Sequence, residues 1–596
     1  MDKIILGKKP VERITYPNDA PPPIRFAAEE LQTYLKESLN VEIDVEKGVP
    51  AKGAFFISTA ELNPEVAADA GPFEEGKYDR CIVSCRDDCV FMIGENPVSA
   101  LYAVYDFLQD RLNIRFFAPG REHEYIPTHS ALHLENGFVL QTGSRFVIRD
   151  YVTNNPETLS FAVKNRVNTI KWEGLNCDAK DLETIQAHGV KLRGPGHIWS
   201  LFVPDESLFE KHPEYFPMID GRRTVNHRTA CFSNPEARRI FIQKLRNYLR
   251  ENPYWDIFAF WAEDIKDPYY CGCPKCTDME IPDWYITLVN EAARVVEEEL
   301  PHAVFEFIAY HGTRFTPKQV KKLYRNGENM LFNFCIGYTR DLYNPFEKKT
   351  YGSAEVFEMY QNWRNYLSDV GFKGQIMIMD YYNLCEEPNQ GPRGRALLWP
   401  MEVIREDVRF YLKEGIDGVG DWICFDRLCW PSPFNVWCWL QLWKNPDTTV
   451  EALKDDFYPK YFGEVGDDVR KYMDELEAAM HQRTSPENIE QVKALTQMLD
   501  SIQPSQRNDQ LVHRLKLVRI HHEYCVLLKE IFQAFSENAP EKWQALEKPY
   551  MTFFEETHRS DLEGHIDIPP EWAYTWFTWK LKKGEHLKMT KDLMLR

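Results

Sequence analysis

Residues 257–276 read IFAFWAEDIKDPYYCGCPKC, and the fold turns on how they are read. Asn252-Pro253 bounds the stretch upstream, and the apolar run Ile257 to Trp261 has the length and continuity of a buried strand. The run ends in two adjacent carboxylates, Glu263 and Asp264, which are costly beside a core unless paired or used. Cys271, Cys273 and Cys276 follow in CxCxxC spacing, and a helical pattern runs from Pro282 to Leu300. Strand, acidic tip, long loop and helix form the active-site edge of a (β/α)8 barrel.

The same rhythm extends in both directions. Strands are predicted at Phe146–Val152, Asn168–Trp172, Gly189–Arg193, Ile257–Glu263, Val304–Ala309, Met330–Cys335, Gln375–Met379 and Gly418–Trp422. Helical patterns lie between the later ones, at Pro317–Tyr324, Ala354–Leu367 and Pro400–Lys413. This alternation predicts an α/β chain whose residues 141–445 form a (β/α)8 TIM barrel. The insert His197–Asn234 is functional by its length. Residues 1–140 alternate short strands and helices, a small α/β accessory domain whose Cys81, Cys85 and Cys89 read as buried thiols. Beyond Pro446 the strand signal ends, so residues 446–596 are expected to be an all-helical domain, a scaffold or a homodimer surface.

A chain of 596 residues has room for about three domains. Its net charge of −20 argues against a nucleic-acid or anionic-membrane partner, and its 16 Trp and 29 Tyr suit sugar stacking as well as core packing. No apolar run reaches the roughly 20 residues of a membrane span. Met1-Asp2-Lys3 leads straight into a strand, so a cytoplasmic protein is expected, its 14 cysteines thiols or metal ligands rather than disulfides. There is no Gly-rich phosphate loop, and no cofactor is expected for the chemistry.

Barrel chemistry sits where strands end. Those ends supply Asp150, Trp172, His197, Glu263, Asp264, Tyr310, His311, Asn333, Asp380, Tyr381, Tyr382, Asn383, Asp421 and Trp422, and the long insert adds Arg222. Carboxylates for proton transfer and rings to hold a sugar are what a glycoside hydrolase needs. In period-two alternation Phe258 and Phe260 share a face with Asp264, while Ala259 and Trp261 share one with Glu263. The more apolar face suits the outer helices, so Glu263 is expected in the pocket as general acid, with Asp264 orienting it or stabilising positive charge.

FAAEELQTYL (26–35) and SALYAVYDFLQDRLNIRFFAPG (99–120) resemble the domain that precedes the barrel in hexosaminidases and α-glucuronidases. GPGHIW (194–199), HPEYFPMIDGRR (212–223), ACFSNPE (230–236) and CxCxxC resemble the uncharacterised-domain family numbered 4838, over roughly residues 20–440. That family is related to those glycosidases and includes endo-β-N-acetylglucosaminidases. The resemblance implies a pocket with a carboxylate pair after strand four, a strand-seven Tyr (Tyr381 or Tyr382) and a strand-eight Trp (Trp422). In hexosaminidases the pair runs Asp-Glu; here it is reversed, Glu263-Asp264.

Three functions are expected in competition. The first is a retaining, substrate-assisted hydrolase of an N-acetylhexosamine-containing glycan. The second is an α-glucuronidase-like hydrolase using a further carboxylate, Asp380 or Asp421, and the third a non-catalytic sugar-binding protein. Cys231, Cys271, Cys273 and Cys276 make a candidate structural zinc set, with free thiols or a disulfide as the alternative.

Overall fold

A computed structural model of the chain describes residues 3–70, 72–73, 77–264, 270–337, 344–350, 353–382, 400–421, 430–482, 484–505, 508–537 and 540–559. Eight strands close into a barrel: β1 (Ile148–Val152), β2 (Thr169–Lys171), β3 (Lys191–His197), β4 (Ile257–Trp261), β5 (Val304–Ala309), β6 (Met330–Cys335), β7 (Gln375–Asp380) and β8 (Gly418–Asp421). Every neighbouring pair is parallel, and β8 returns to β1 with Gly418 opposite Ile148. Outside lie α1 (Pro156–Lys164), α2 (Ala179–His188), α3 (Pro235–Glu251), α4 (Ile281–Glu299), α5 (Ser353–Asp369), α6 (Met401–Lys413) and α7 (Ser432–Lys444). Asn155, Asp178 and Asn234 start α1, α2 and α3 by accepting first-turn N–H groups with their side chains. Phe241 and Leu245 of α3 and Ile286 and Val289 of α4 bury the outward side of β4, Phe258 and Phe260.

Two expected elements change. The predicted third strand starts late, because Gly189 takes φ +70° and ends α2, and it runs on through Gly194-Pro195-Gly196 to His197. A turn-like sequence stays extended here because rings demand the glycines. A Cβ on Gly194 would stand 2.5 Å from the Trp255 ring, and one on Gly196 (φ +104°) 3.1 Å from Trp261. The predicted helix Pro317–Tyr324 does not form; only a 3-10 turn at Tyr324–Gly327 follows. Instead, buried Asp283 of α4 accepts the N–H groups of Gln319 (2.7 Å) and Val320 (2.8 Å), which holds the segment against α4.

The N-terminal unit is a six-stranded sheet covered by helices Pro22–Leu39 and Pro97–Arg111. Its edge strand Val139–Ser144 carries the sheet past residue 140. Cys81, Cys85 and Cys89 are buried in it as thiols. Helices Val450–Phe462, Gly466–His481, Pro486–Ser501, Asp509–Ser536 and Pro540–Arg559 complete the described chain. They pack against the N-terminal unit through an Arg115–Asp456 ion pair (2.6 Å) and the Phe117, Phe457 and Tyr461 rings. Among the described residues no helix is long and apolar enough to cross a membrane.

Candidate active site at the barrel mouth

The barrel interior is layered. Ile148, Ile257, Leu331 and Met377 form its lower plug. Above them is a charged layer in which Arg193 donates to Asp150 (2.5 Å) and, through two nitrogens, to both oxygens of Glu306 (2.6 Å each). Glu306 also accepts from Trp261 Nε1 (2.9 Å) and Asn333 Nδ2 (3.0 Å). Lys171 donates to the carbonyls of Trp172 (2.9 Å) and Pro195 (3.0 Å). Burial pushes the Asp150 carboxyl up to about 6 and draws the Lys171 ammonium down to about 8. The Trp261 ring covers this layer, with Arg193 and Lys171 within 5.3 and 5.2 Å of its centroid.

The upper layer holds Ala259, Trp261, Ile308, Cys335, Met379 and Tyr381, with Tyr310 packed on it. The expected faces of β4 are found: Ala259 and Trp261 point in, Phe258 and Phe260 point out. The strand ends at Trp261, and the Ala262 carbonyl accepts from His197 Nδ1. A carbonyl only accepts, so that nitrogen carries the proton and Nε2 is left as an acceptor. Burial holds His197 below the usual imidazole range, hence neutral, and its ring lies 5.3 Å from Trp261 and 5.9 Å from Tyr310.

The two carboxylates part company. Glu263 Oε1 accepts the Ser200 N–H (2.6 Å) from the loop after β3. Asp264 turns to β5, where Oδ1 lies 2.7 Å from His311 Nε2, and that hydrogen bond lowers its pKa. His311 is held at φ +45°, a left-handed conformation rare for a non-glycine residue and favoured where a side chain has to be aimed.

Several expected site residues lie elsewhere. Trp172 points outward and donates to Asn176 O (2.9 Å), while its neighbour Lys171 faces in. Asp380 accepts the Tyr411 hydroxyl (2.7 Å) of α6, and the Tyr382 hydroxyl donates to Asp407 (2.8 Å), so both belong to the strand–helix layer and only Tyr381 reaches the barrel interior. Asp150 and Asn333 lie in the charged layer beneath Trp261. Arg222 is exposed on a small ribbon, whereas Arg223 turns in to Phe216 O (2.6 Å). Asp421 ends β8 opposite Asp380, and its side chain, like Asn383 and Trp422, lies outside the described residues. Sequence reasoning missed Lys171, Arg193 and Glu306, whose signal was a charge in mid-strand. It also missed Glu173, which follows β2 and whose charge acts on Lys171.

Beside the mouth, the sulfurs of Cys231, Cys271, Cys273 and Cys276 all lie within 4.8 Å of one another. The pairs Cys231–Cys273 and Cys231–Cys276 are 3.6 and 3.8 Å apart. A cavity of about 420 Å³ adjoins this loop, lined by Phe232, Tyr270, Met279, Trp284 and Phe315 among others.

Solved structures share the architecture at low identity. A family GH115 4-O-methyl-α-glucuronidase with specificity for decorated arabinogalactans superposes with TM-score 0.63 at 10% identity, covering 95% of this chain and 79% of its own. A GH138 enzyme targeting pectin rhamnogalacturonan II gives 0.52 at 10% identity, over 96% and 98%. A family 89 enzyme from Clostridium perfringens, bound to its substrate GlcNAc-α-1,4-galactose, gives 0.52 at 11% identity, over 94% and 69%. These likenesses show the fold, a (β/α)8 barrel with accessory domains. No curated protein sequence matches the chain significantly. The family model described as "Domain of unknown function (DUF4838)" matches residues 118–474.

Proposed function

The chain belongs to the DUF4838 family, and from that membership and the barrel mouth we propose that the protein is a glycoside hydrolase acting on an N-acetylhexosamine-containing glycan. The observation that carries this reading is the divergence of Glu263 and Asp264, neighbours in sequence held by opposite loops with different partners.

In the mechanism, Glu263 is the general acid. Ser200 N–H holds Oε1, leaving Oε2 to deliver a proton to the glycosidic oxygen as that oxygen leaves the anomeric carbon. The substrate's acetamido oxygen forms the new bond to that carbon from the opposite face. Asp264, kept ionised by His311, accepts the acetamido N–H and balances the charge of the cyclised intermediate. Glu263, now a carboxylate, takes a proton from water, which reopens the ring with retained configuration. Tyr381 and Tyr310 line the floor, and His197 Nε2 accepts a sugar hydroxyl. The aromatic-lined cavity beside the cysteine loop supports a glycan longer than one sugar.

A second reading, an α-glucuronidase-like hydrolase using a further carboxylate, draws support from the GH115 neighbour. A panel of aryl glycosides separates the two. Aryl N-acetylhexosaminides should turn over and a thiazoline analogue of the cyclised intermediate should inhibit strongly. Turnover of a glucuronide without thiazoline inhibition moves the assignment to the second reading. Binding without turnover of any substrate leaves a sugar-binding protein.

A further inference from the structure

Four cysteines meet where two long barrel loops touch, and nothing in the proposed chemistry uses them. Cys231 precedes α3, at the end of the insert that follows β3; Cys271, Cys273 and Cys276 belong to the loop after β4. Four buried thiols can pack as small apolar groups, in which case their surroundings should be apolar. The surroundings here are polar and aimed at sulfur. Met218 N–H donates to Cys271 Sγ (3.2 Å), and Arg223 Nη1 lies 3.7 Å from the same sulfur. Ser233 Oγ sits 3.4 and 3.6 Å from the sulfurs of Cys231 and Cys273, and it accepts from Cys276 Sγ (3.1 Å). Hydrogen-bond donors and a guanidinium gather around thiolates, which need their charge balanced, more than around neutral thiols.

The spacing fits one tetrahedral ion. Zn–S bonds of about 2.3 Å in a tetrahedron put sulfurs about 3.8 Å apart. The observed 3.6 and 3.8 Å separations have that edge length, and the 4.8 Å span leaves room for one ion rather than an iron–sulfur cluster. We infer that Cys231, Cys271, Cys273 and Cys276 bind a single structural zinc ion that pins the loop following Glu263 and Asp264 to the insert after β3. Both loops are anchored again nearby: Cys231 N–H donates to Tyr215 O (3.0 Å), and Trp284 Nε1 of α4 to Cys276 O (2.9 Å). The insert that ends at Cys231 also supplies Ser200, the donor that holds Glu263. The ion therefore fixes the distance between the candidate acid and its anchor while taking no part in bond making.

The test uses the full chain purified without chelator. Elemental analysis should find about one zinc per chain, and exchange for cobalt should give the intense visible bands of a tetrahedral tetrathiolate ion. Cys273→Ser/Cys276→Ser should lose the metal and keep its far-ultraviolet circular dichroism, while Cys438→Ser keeps the metal. On metal removal, amide exchange in peptides covering 216–231 and 270–280 should quicken at least about tenfold, with the barrel strands unchanged. Zinc well below stoichiometric with all thiols titratable, a disulfide among the four, or iron in place of zinc overturns the inference. None of these readouts depends on turnover, so the inference stands or falls separately from the proposed hydrolase.

Discussion

Replacing Glu306 by leucine should cost the barrel much of its stability. The carboxylate accepts two nitrogens of Arg193 at 2.6 Å, the Trp261 indole at 2.9 Å and the Asn333 amide at 3.0 Å, all in a fully buried layer. Removing one partner of a buried ion pair costs about 3–5 kcal/mol, and the low end, about 3, applies because Arg193 keeps Asp150. Two buried donors left without an acceptor add about 1 kcal/mol each at the low end. The sum, about 5 kcal/mol, reaches the low end of the about 5–15 kcal/mol expected of a domain. Arg193→Met/Glu306→Leu should recover part of the loss, because the two guanidinium nitrogens that donated to Glu306 are then no longer left buried without it. Asp150 would lose its cation in that variant, but its carboxyl already titrates near 6 and can stay protonated. Urea unfolding at about pH 5.5, followed by tryptophan fluorescence and circular dichroism, makes the comparison, with midpoints compared because the chain has several domains. A Glu306→Leu loss under about 1.5 kcal/mol, or a double variant weaker than the single, would refute the reasoning.

Glu263→Gln should fold normally and lose roughly 10²–10⁴ in kcat on poor leaving groups, with less loss on activated aryl glycosides; an equal loss on both would remove Glu263 from the acid role. Asp150 has a folded-state pKa of about 6, above its unfolded value of roughly 3.9, so the folded state holds its proton more tightly. Its contribution is full below about pH 4 and is lost as pH rises through about 6; Asp150→Asn should flatten the unfolding midpoint across that window, and an unchanged slope would reject the assignment. Tyr381→Phe should lower kcat, whereas Tyr382→Phe, which loses its bond to Asp407, should cost about 1 kcal/mol of stability and leave kinetics intact. The opposite pattern would exchange their roles.

The strand–helix rhythm made the barrel legible, because β4 to β7 are short, mainly apolar runs and most crossover helices carry their own stripe. Phase at strand ends was far less legible. Trp172 and Asp380 were expected in the pocket because they stand at or just past the ends of their predicted strands, yet each stands one residue out of phase with an inward neighbour, Lys171 or Tyr381. A list of strand-end residues ignores that parity. Gly194-Pro195-Gly196 and Pro317–Tyr324 failed for tertiary reasons: two tryptophan rings force one segment to stay extended, and one buried aspartate takes the other's N–H groups. The meeting of four cysteines was legible from their loops, since both leave the same end of the barrel.

Arg193 also bears on how such a barrel finds its register. Its partners lie 43 residues before it, in β1, and 113 residues after it, in β5. A slip of one residue in β3 would turn the guanidinium into the helix layer, and a slip of two would carry it away from both carboxylates. Either error buries an unanswered charge, so the residue acts as a checkpoint against misaligned closure. The checkpoint is passed only when β5 docks, after more than a hundred intervening residues have been ordered. Contacts of such sequence separation slow folding, and a nascent chain released before β5 would hold Arg193 with only one of its two carboxylates, Asp150. Half-barrel fragments of this protein should therefore stay open and aggregate, even though their strands and helices are individually well formed.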